Sequence, residues 1–373
     1  MGAPRKGSAD ASAVDEHLDE LARLADTAGA DVVGRAMQVV AAPTPGLYIG
    51  RGKAAEIARR VSELGATLVI FDEELSPTQG KHLEDLLCVR VMDRTELILD
   101  IFALRARSRE AKMQVELAQL EYLLPRLTRM WAHLSRIRGG IGLRGPGETQ
   151  LETDRRIIRR KIGVLKRKLT EVGEHRARLR GRTKERDVLK VALVGYTNAG
   201  KSSLLRALTG ADAHVEDRLF ATLDTSSREV QVNGRRVRFT DTVGFIRKLP
   251  HDLVASFRAT LEEAADADVI VHVVDASHPA WERQAEVVGE VLAEVAPAAR
   301  VVMALNKADV LGPEEQAERL SEADGRGFEV RLTSARTGAG LAETATLLQR
   351  RTGIALYVRA GSDPAHVRNA AEG

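Results

Sequence analysis

The residues with the clearest chemistry are Gly195-Tyr196-Thr197-Asn198-Ala199-Gly200-Lys201-Ser202. Glycines at both ends of such a run let backbone N–H groups turn inward around phosphates. The lysine reaches the β and γ oxygens, and the serine hydroxyl can ligate Mg²⁺. The apolar run Val191 to Val194 precedes it and Leu204-Leu205-Arg206-Ala207-Leu208 follows, so the order is strand, phosphate loop, helix. Further along, Val237 to Thr240 reads as a strand ending at Asp241-Thr242-Val243-Gly244. There Asp241 can hold the metal through its water shell, and the Gly244 N–H can meet a γ-phosphate.

The base comes from a third segment. Asn306-Lys307-Ala308-Asp309 follows a strand from Val301 to Leu305, and Thr333-Ser334-Ala335 follows another. A carboxylate at Asp309 can accept from the ring N–H and exocyclic amine of guanine, two donors that adenine does not present there. The expected ligands are therefore GTP or GDP with Mg²⁺. Between phosphate loop and metal aspartate lies Phe220-Ala221-Thr222-Leu223-Asp224, where Thr222 can complete the metal shell only when a γ-phosphate is present, as a switch. Ser202, Thr222 and Asp241 are the expected metal residues, and Lys201, Thr222 and Gly244 the expected catalytic ones. The residue after Gly244 is Phe245, which cannot orient an attacking water by hydrogen bonding as a glutamine would. Slow intrinsic hydrolysis and dependence on a partner follow, the plainer reading of Phe245 being core packing.

Positioning these groups requires an α/β fold, a P-loop nucleotide domain expected over 188–352. Before it, residues 16–103 alternate helical and strand signals: Leu18, Leu21 and Leu24 at helical spacing, Met37 to Ala42 as a strand, Ala54 to Leu64 as a helix, and apolar runs at Thr67 to Phe71 and Cys88 to Met92. Within this small α/β domain, Gly50-Arg51-Gly52-Lys53 lacks the remaining spacing of a phosphate loop and reads as a turn before a helix. Residues 1–15, rich in Ala, Ser, Gly and charge, read as a disordered leader, and 353–373 as a short tail with a strand-like run at Ile354 to Val358.

Residues 104–187 change character. Met113, Leu117, Leu120, Leu124, Leu127, Trp131 and Leu134 form one heptad seam, and Leu151, Ile158, Ile162, Leu165, Leu169 and Val172 a second. Five glycines and a proline between Gly139 and Gly147 force a reversal, giving a long antiparallel helical hairpin with a glycine-rich tip and a kink at Pro125. Residues 113–137 as helix would reach about 37 Å. The net charge of +3 conceals segregation: residues 101–190 carry 24 Lys and Arg against 10 Asp and Glu, and the remainder 32 against 43. Arg136, Arg138 and Arg144 crowd the tip, with Arg155, Arg156, Arg159 and Arg160 just beyond. An arm built this way suits a polyanionic surface; the alternative is a solvated brace between domains.

Composition narrows the setting. Only 3% of residues are aromatic, which disfavours base-stacking modules. A single cysteine, Cys88, excludes an internal disulfide framework, and no run approaches the roughly 18 apolar residues of a spanning helix. A cytoplasmic protein is expected.

Several stretches together resemble the HflX GTPases, a translation-factor-related family with a hydrophobic residue in place of the catalytic glutamine. They are Tyr48-Ile49-Gly50-Arg51-Gly52-Lys53, Asp93-Arg94-Thr95, Leu97-Ile98-Leu99-Asp100-Ile101-Phe102, Gln114-Val115-Glu116-Leu117-Ala118-Gln119-Leu120 and Tyr122-Leu123-Leu124-Pro125-Arg126-Leu127. More specific still are Gly139-Gly140-Ile141-Gly142 through Arg144-Gly145-Pro146-Gly147-Glu148-Thr149-Gln150-Leu151-Glu152, and Asp241-Thr242-Val243-Gly244-Phe245-Ile246-Arg247 with Leu249-Pro250-His251. The resemblance implies a GTPase that binds the large ribosomal subunit and separates stalled or idle ribosomes. The hairpin and its Gly139 to Gly147 loop would contact ribosomal RNA, and the protein would act as a monomer. A large-subunit assembly GTPase and a nucleotide-controlled ribosome-silencing module are the competing readings.

Overall fold

The structure is a computed structural model; it describes the chain apart from residues 9–12, 128–145, 183–187, 211–218, 221, 224–225, 233–234, 249–263, 298, 326–328 and 345–373. The chain divides into two compact units, Met1–Glu174 and His175–Gly373.

In the first unit, helices α1 (Val14–Thr27), α2 (Arg51–Leu64), α3 (Pro77–Leu87) and α4 (Arg94–Arg105) surround parallel strands β1 (Leu68–Phe71) and β2 (Arg90–Asp93). Gly50 caps α2 in extended conformation, so the Gly50-Arg51-Gly52-Lys53 stretch is the expected turn and helix start. Helix α3 opens with Pro77 after a capping box in which the Ser76 hydroxyl accepts from the Gln79 N–H and the Gln79 side chain accepts from the Ser76 N–H. The apolar faces meet in a core that includes Ile57, Val61, Phe71, Leu83 and Val91.

The disordered leader is corrected here for its first residues. The Gly2 N–H donates to the Ala36 carbonyl at 3.0 Å, the Val40 N–H to Pro4 at 3.0 Å, and the Asp72 N–H to Met1 at 2.9 Å. Met1 to Arg5 thus lies extended between residues 36–40 and β1, with Ala3 fully buried. The reason is backbone satisfaction. Small residues let the segment slip between two extended neighbours whose polar groups it completes.

Helix α5 (Arg109–Leu123) gives way to a 3₁₀ turn at Leu124–Arg126, where Pro125 has no N–H to continue the ladder. The turn sends Arg126 inward, to the Leu75 carbonyl at 2.8 Å and the Asp93 carboxylate at 3.4 Å, its guanidinium 3.5 Å above the Tyr122 ring. The long helix α6 (Pro146–Arg182) starts inside the expected loop, because proline is well accommodated in a first helical turn. Glu116 and Glu121 of α5 pair with Lys161 and Lys166 of α6 at 2.5 and 2.7 Å. Ile158, Ile162, Leu165, Leu169 and Val172 form the less exposed stripe of α6, as their spacing predicts. The tip with Arg136, Arg138 and Arg144 lies outside the described residues.

The second unit is a six-stranded sheet in the order β4 (Ser226–Val232), β5 (Arg235–Asp241), β3 (Val188–Gly195), β6 (Val269–Asp275), β7 (Arg300–Asn306) and β8 (Glu329–Leu332). Among the described strands of this sheet only the β4–β5 pair is antiparallel. Near-continuous Val, Leu and Ala in β3, β6 and β7 fit strands covered on both faces. Helix α7 (Lys201–Thr209) packs Leu204 and Leu205 onto Val191, Leu193, Val271 and Val273. Trp281 of α8 (Trp281–Val295) and Ala323 of α9 (Pro313–Asp324) join a second cluster with Val274, Met303 and Val330. The parallel strands therefore all end on one edge, where Gly195, Asp241, Asp275, Asn306 and Thr333 emerge together.

Candidate functional site

At that edge the phosphate loop leaves β3 and enters α7. Gly200 adopts φ +91°, and a side chain on it would collide with the Asn306 amide. The loop can therefore press its backbone against β7 only with glycine here. Asn306 fastens this contact from both ends: its Nδ2 donates to the Ala199 carbonyl at 2.9 Å and its Oδ1 accepts from the Ala335 N–H at 3.0 Å.

Lys201 is 6% exposed, and its Nζ donates to the Gly195 and Tyr196 carbonyls at 3.1 and 2.8 Å. Burial lowers its pKa to about 8, with Asp241 opposing the shift. Asp241, 1% exposed, is pushed above the usual carboxylate range by the same loss of water, against the pull of Lys201, Ser202 and Thr222. Its Oδ2 accepts from Ser202 Oγ at 2.6 Å and Thr222 Oγ1 at 3.1 Å, and those hydroxyls are 2.9 Å apart. Oδ1 is buried with no hydrogen-bond partner. One orphaned carboxylate oxygen with two hydroxyls beside its twin is a hard oxygen set, and it suits Mg²⁺ that also takes phosphate oxygens and waters. Among the described residues no group of three or more His, Cys, Asp or Glu forms an all-protein metal cage. The three residues expected at the metal are thus brought together, and they fit the ion.

Beyond Asp241, the Thr242 hydroxyl donates to the Leu193 carbonyl at 2.8 Å. Gly244 lies so close to the phosphate loop that a Cβ there would stand 2.8 Å from Thr197 Cα and 3.0 Å from Lys201 Nζ. Phe245 is 5% exposed; its N–H donates to Gly195 at 3.0 Å and its carbonyl accepts from Thr197 at 2.7 Å. Its ring packs in the interior. Phe220, Thr222 and Leu223 are described beside the loop, whereas Ala221 and Asp224 lie outside the described residues.

At the other end, Asp309 Oδ1 accepts from Ser334 Oγ at 2.5 Å and Oδ2 pairs with Arg336 at 2.7 Å. The Ala308 N–H donates to the Thr333 carbonyl at 3.1 Å. Lys307, at φ 62°, reaches Asp275 at 2.7 Å, and Asp275 also accepts from Ser277 Oγ at 2.6 Å. Asp275 and Arg336 are the participants that motif reading missed, while Tyr196, within the expected phosphate loop, accepts through its hydroxyl from the Arg247 N–H at 2.7 Å. Asp275 carried a signal, since it ends an apolar strand run at the edge where the other site residues sit. Arg336 carried none.

Three family models match the chain: GTP-binding GTPase N-terminal over 15–103, GTP-binding GTPase Middle Region over 105–183, and 50S ribosome-binding GTPase over 190–307. GTPase HflX of Caldanaerobacter subterraneus subsp. tengcongensis is 54% identical over 282 residues, 75% of this chain and 66% of that protein. GTPase HflX of Escherichia coli K12 is 47% identical over 344 residues, 90% and 79% of the two chains, and that of Magnetococcus marinus 47% over 343 residues, 91% and 78%. The chain thus spans about two thirds to four fifths of the length of these relatives. Among solved structures, SsGBP in complex with GDP superposes with a TM-score of 0.52 at 25% identity, over 94% of this chain and 96% of that one. Of the described helices none is long and apolar enough to cross a membrane. A P-loop site whose base pocket carries an Asn-Lys-x-Asp segment, in a chain nearly half identical to such relatives along most of its length, leads to one conclusion: the chain belongs to the HflX family of GTPases, enzymes that bind and hydrolyse GTP.

Proposed function

We propose that this GTPase acts on ribosomes, binding the large subunit and using GTP to separate stalled or idle ribosomes into subunits. The observation that carries the reading is the charge of α6. Residues 146–182 hold 12 Lys and Arg against five Asp and Glu. Arg156, Arg159, Arg160, Lys166, Arg167 and Lys168 are exposed along it. A row of this kind attracts a phosphate backbone through counterion release. The description of the G-domain family model, a 50S ribosome-binding GTPase, points the same way.

In this reading Lys201 neutralises charge on the β and γ phosphates, and the inward N–H groups of Asn198 to Ser202 cradle them. Ser202, Thr222 and Asp241 would hold Mg²⁺, which would supply positive charge against the phosphates. Asn306 fixes the loop against the base pocket, Asp309 accepts from guanine, and the Ser334–Ala335 backbone faces the guanine oxygen. Lys307 walls the base while held by Asp275. Thr222 is the switch that senses the γ-phosphate.

Sedimentation of joined ribosomes with the protein tests the proposal. GTP or a non-hydrolysable analogue is expected to convert the joined peak into subunits, whereas GDP leaves it intact. A joined peak unchanged under all three nucleotides would reject the splitting role.

A further inference from the structure

Phe245 leaves the site without the side chain that usually orients water. Its backbone does other work. Two hydrogen bonds, from the Phe245 N–H to the Gly195 carbonyl at 3.0 Å and from the Thr197 N–H to the Phe245 carbonyl at 2.7 Å, stitch the Gly244–Phe245 segment to the phosphate loop as a short parallel bridge. The stitch brings Thr197 against Gly244: a Cβ at Gly244 would lie 2.9 Å from Thr197 Cγ2 and 3.0 Å from Lys201 Nζ. The Thr197 side chain, the Gly244 backbone and the Lys201 ammonium thus meet in one place, at the end of the loop where a terminal phosphate arrives. In that cluster the Thr197 hydroxyl is buried and has no hydrogen-bond partner. Such a group costs stability for as long as nothing satisfies it.

We propose that Thr197 is a catalytic residue of GTP hydrolysis, its hydroxyl orienting the attacking water in place of a glutamine. A hydroxyl carries one hydrogen and two lone pairs, so Oγ1 can accept from the water while donating to a γ-phosphate oxygen. The water oxygen forms the new bond to phosphorus as the bond from phosphorus to the β–γ bridging oxygen breaks. A water proton passes to the phosphate, and GDP and inorganic phosphate are the products. Thr197 keeps its own hydrogen and takes up none, because a neutral alcohol oxygen is too weak a base to hold the water proton. Its aim depends on the Phe245 stitch. A partner that presses on the Gly244–Phe245 segment would therefore tune the rate without adding a side chain.

The full-length Thr197→Val and Thr197→Ser variants separate this role from packing, because valine keeps the shape against Gly244 and loses the hydroxyl, and serine does the reverse. Three readouts apply: single-turnover GTP hydrolysis, GDP affinity, and the melting temperature without nucleotide. Thr197→Val is expected to slow hydrolysis at least ~10-fold. Its GDP affinity should change by less than about twofold, and nucleotide-free Thr197→Val should melt higher than wild type, since a methyl replaces an unsatisfied oxygen. Thr197→Ser should retain most of the rate. Hydrolysis by Thr197→Val at the wild-type rate, Thr197→Ser falling as far as Thr197→Val, or a loss of GDP affinity in step with rate would each overturn the proposal. Thr197→Ala against Thr197→Ser repeats the comparison should the valine variant not fold.

Discussion

The two ends of the nucleotide site are built on opposite principles. At the phosphate end, Lys201 is a buried cation whose pKa is lowered to about 8, Asp241 is a buried carboxylate pushed upward with one oxygen unpartnered, and the Thr197 hydroxyl has no partner. At the base end, both oxygens of Asp309, both amide atoms of Asn306 and the Lys307 ammonium have protein partners. The phosphate end holds charges uncomfortable in a dry site, which phosphates and Mg²⁺ relieve. The base end is satisfied before the ligand arrives. Binding energy and switching therefore belong to the first, and selectivity at little cost in strain to the second.

Lys201→Met gives the largest expected effect. Losing a charge-assisted contact in a buried site costs about 3 kcal/mol, or roughly 100-fold in GDP and GTP affinity. Titration with a fluorescent GDP measures it, and a loss under about threefold would mean the phosphate end does not drive binding. Asp309→Asn comes next. It replaces a paired acceptor with one acceptor and one donor, so preference for GTP over ATP should fall by about 10-fold or more while phosphate contacts persist. Unchanged preference would place base selection elsewhere.

The third effect is a pH dependence. Lys201 in the free protein titrates near pH 8, well below the unfolded lysine value of 10.5. Below about 8 it is charged and ready for phosphate; above, binding must take up a proton, so GDP affinity should fall by up to ~10-fold per pH unit. That fall should disappear in Lys201→Met. The smallest effect is at Arg336, which is 77% exposed and pairs with Asp309 in water-screened surroundings. Guanine must displace it, so Arg336→Ala should speed nucleotide association by at most a few-fold. Stopped-flow traces would show this, and a faster dissociation with unchanged association would instead make Arg336 a cover over the base.

The same contrast explains what could be read from sequence. Gly195 to Ser202 and Asn306 to Asp309 are contiguous, so the chemistry is written in local spacing, as is the break at Pro125. Contacts between distant segments were not. Asp275 acts through Lys307, and Arg336 through Asp309, by approaches that only the packed sheet creates. Met1 to Arg5 reads as disordered because residues 1–15 together are rich in Ala, Ser, Gly and charge, whereas its order comes from backbone pairing with residues 36–40 and with Asp72. The seams and glycines predict the arm, and within it α6 reaches back to Pro146, since a proline that breaks a helix inside can begin one.

One chemical change made at each end tests the contrast most directly: the melting temperatures of nucleotide-free Asp241→Asn and Asp309→Asn against wild type near neutral pH. Asp241→Asn keeps an oxygen for Ser202 and Thr222 and removes a carboxylate whose pKa is raised by burial. A raised carboxylate pKa means that ionisation costs the folded state stability above that pKa, so this variant should melt above wild type. Asp309→Asn loses the Arg336 pair and removes a carboxylate whose two oxygens both have partners, so it should melt at or slightly below wild type. Asp241→Asn melting below wild type, with Asp309→Asn equal or higher, would contradict the account.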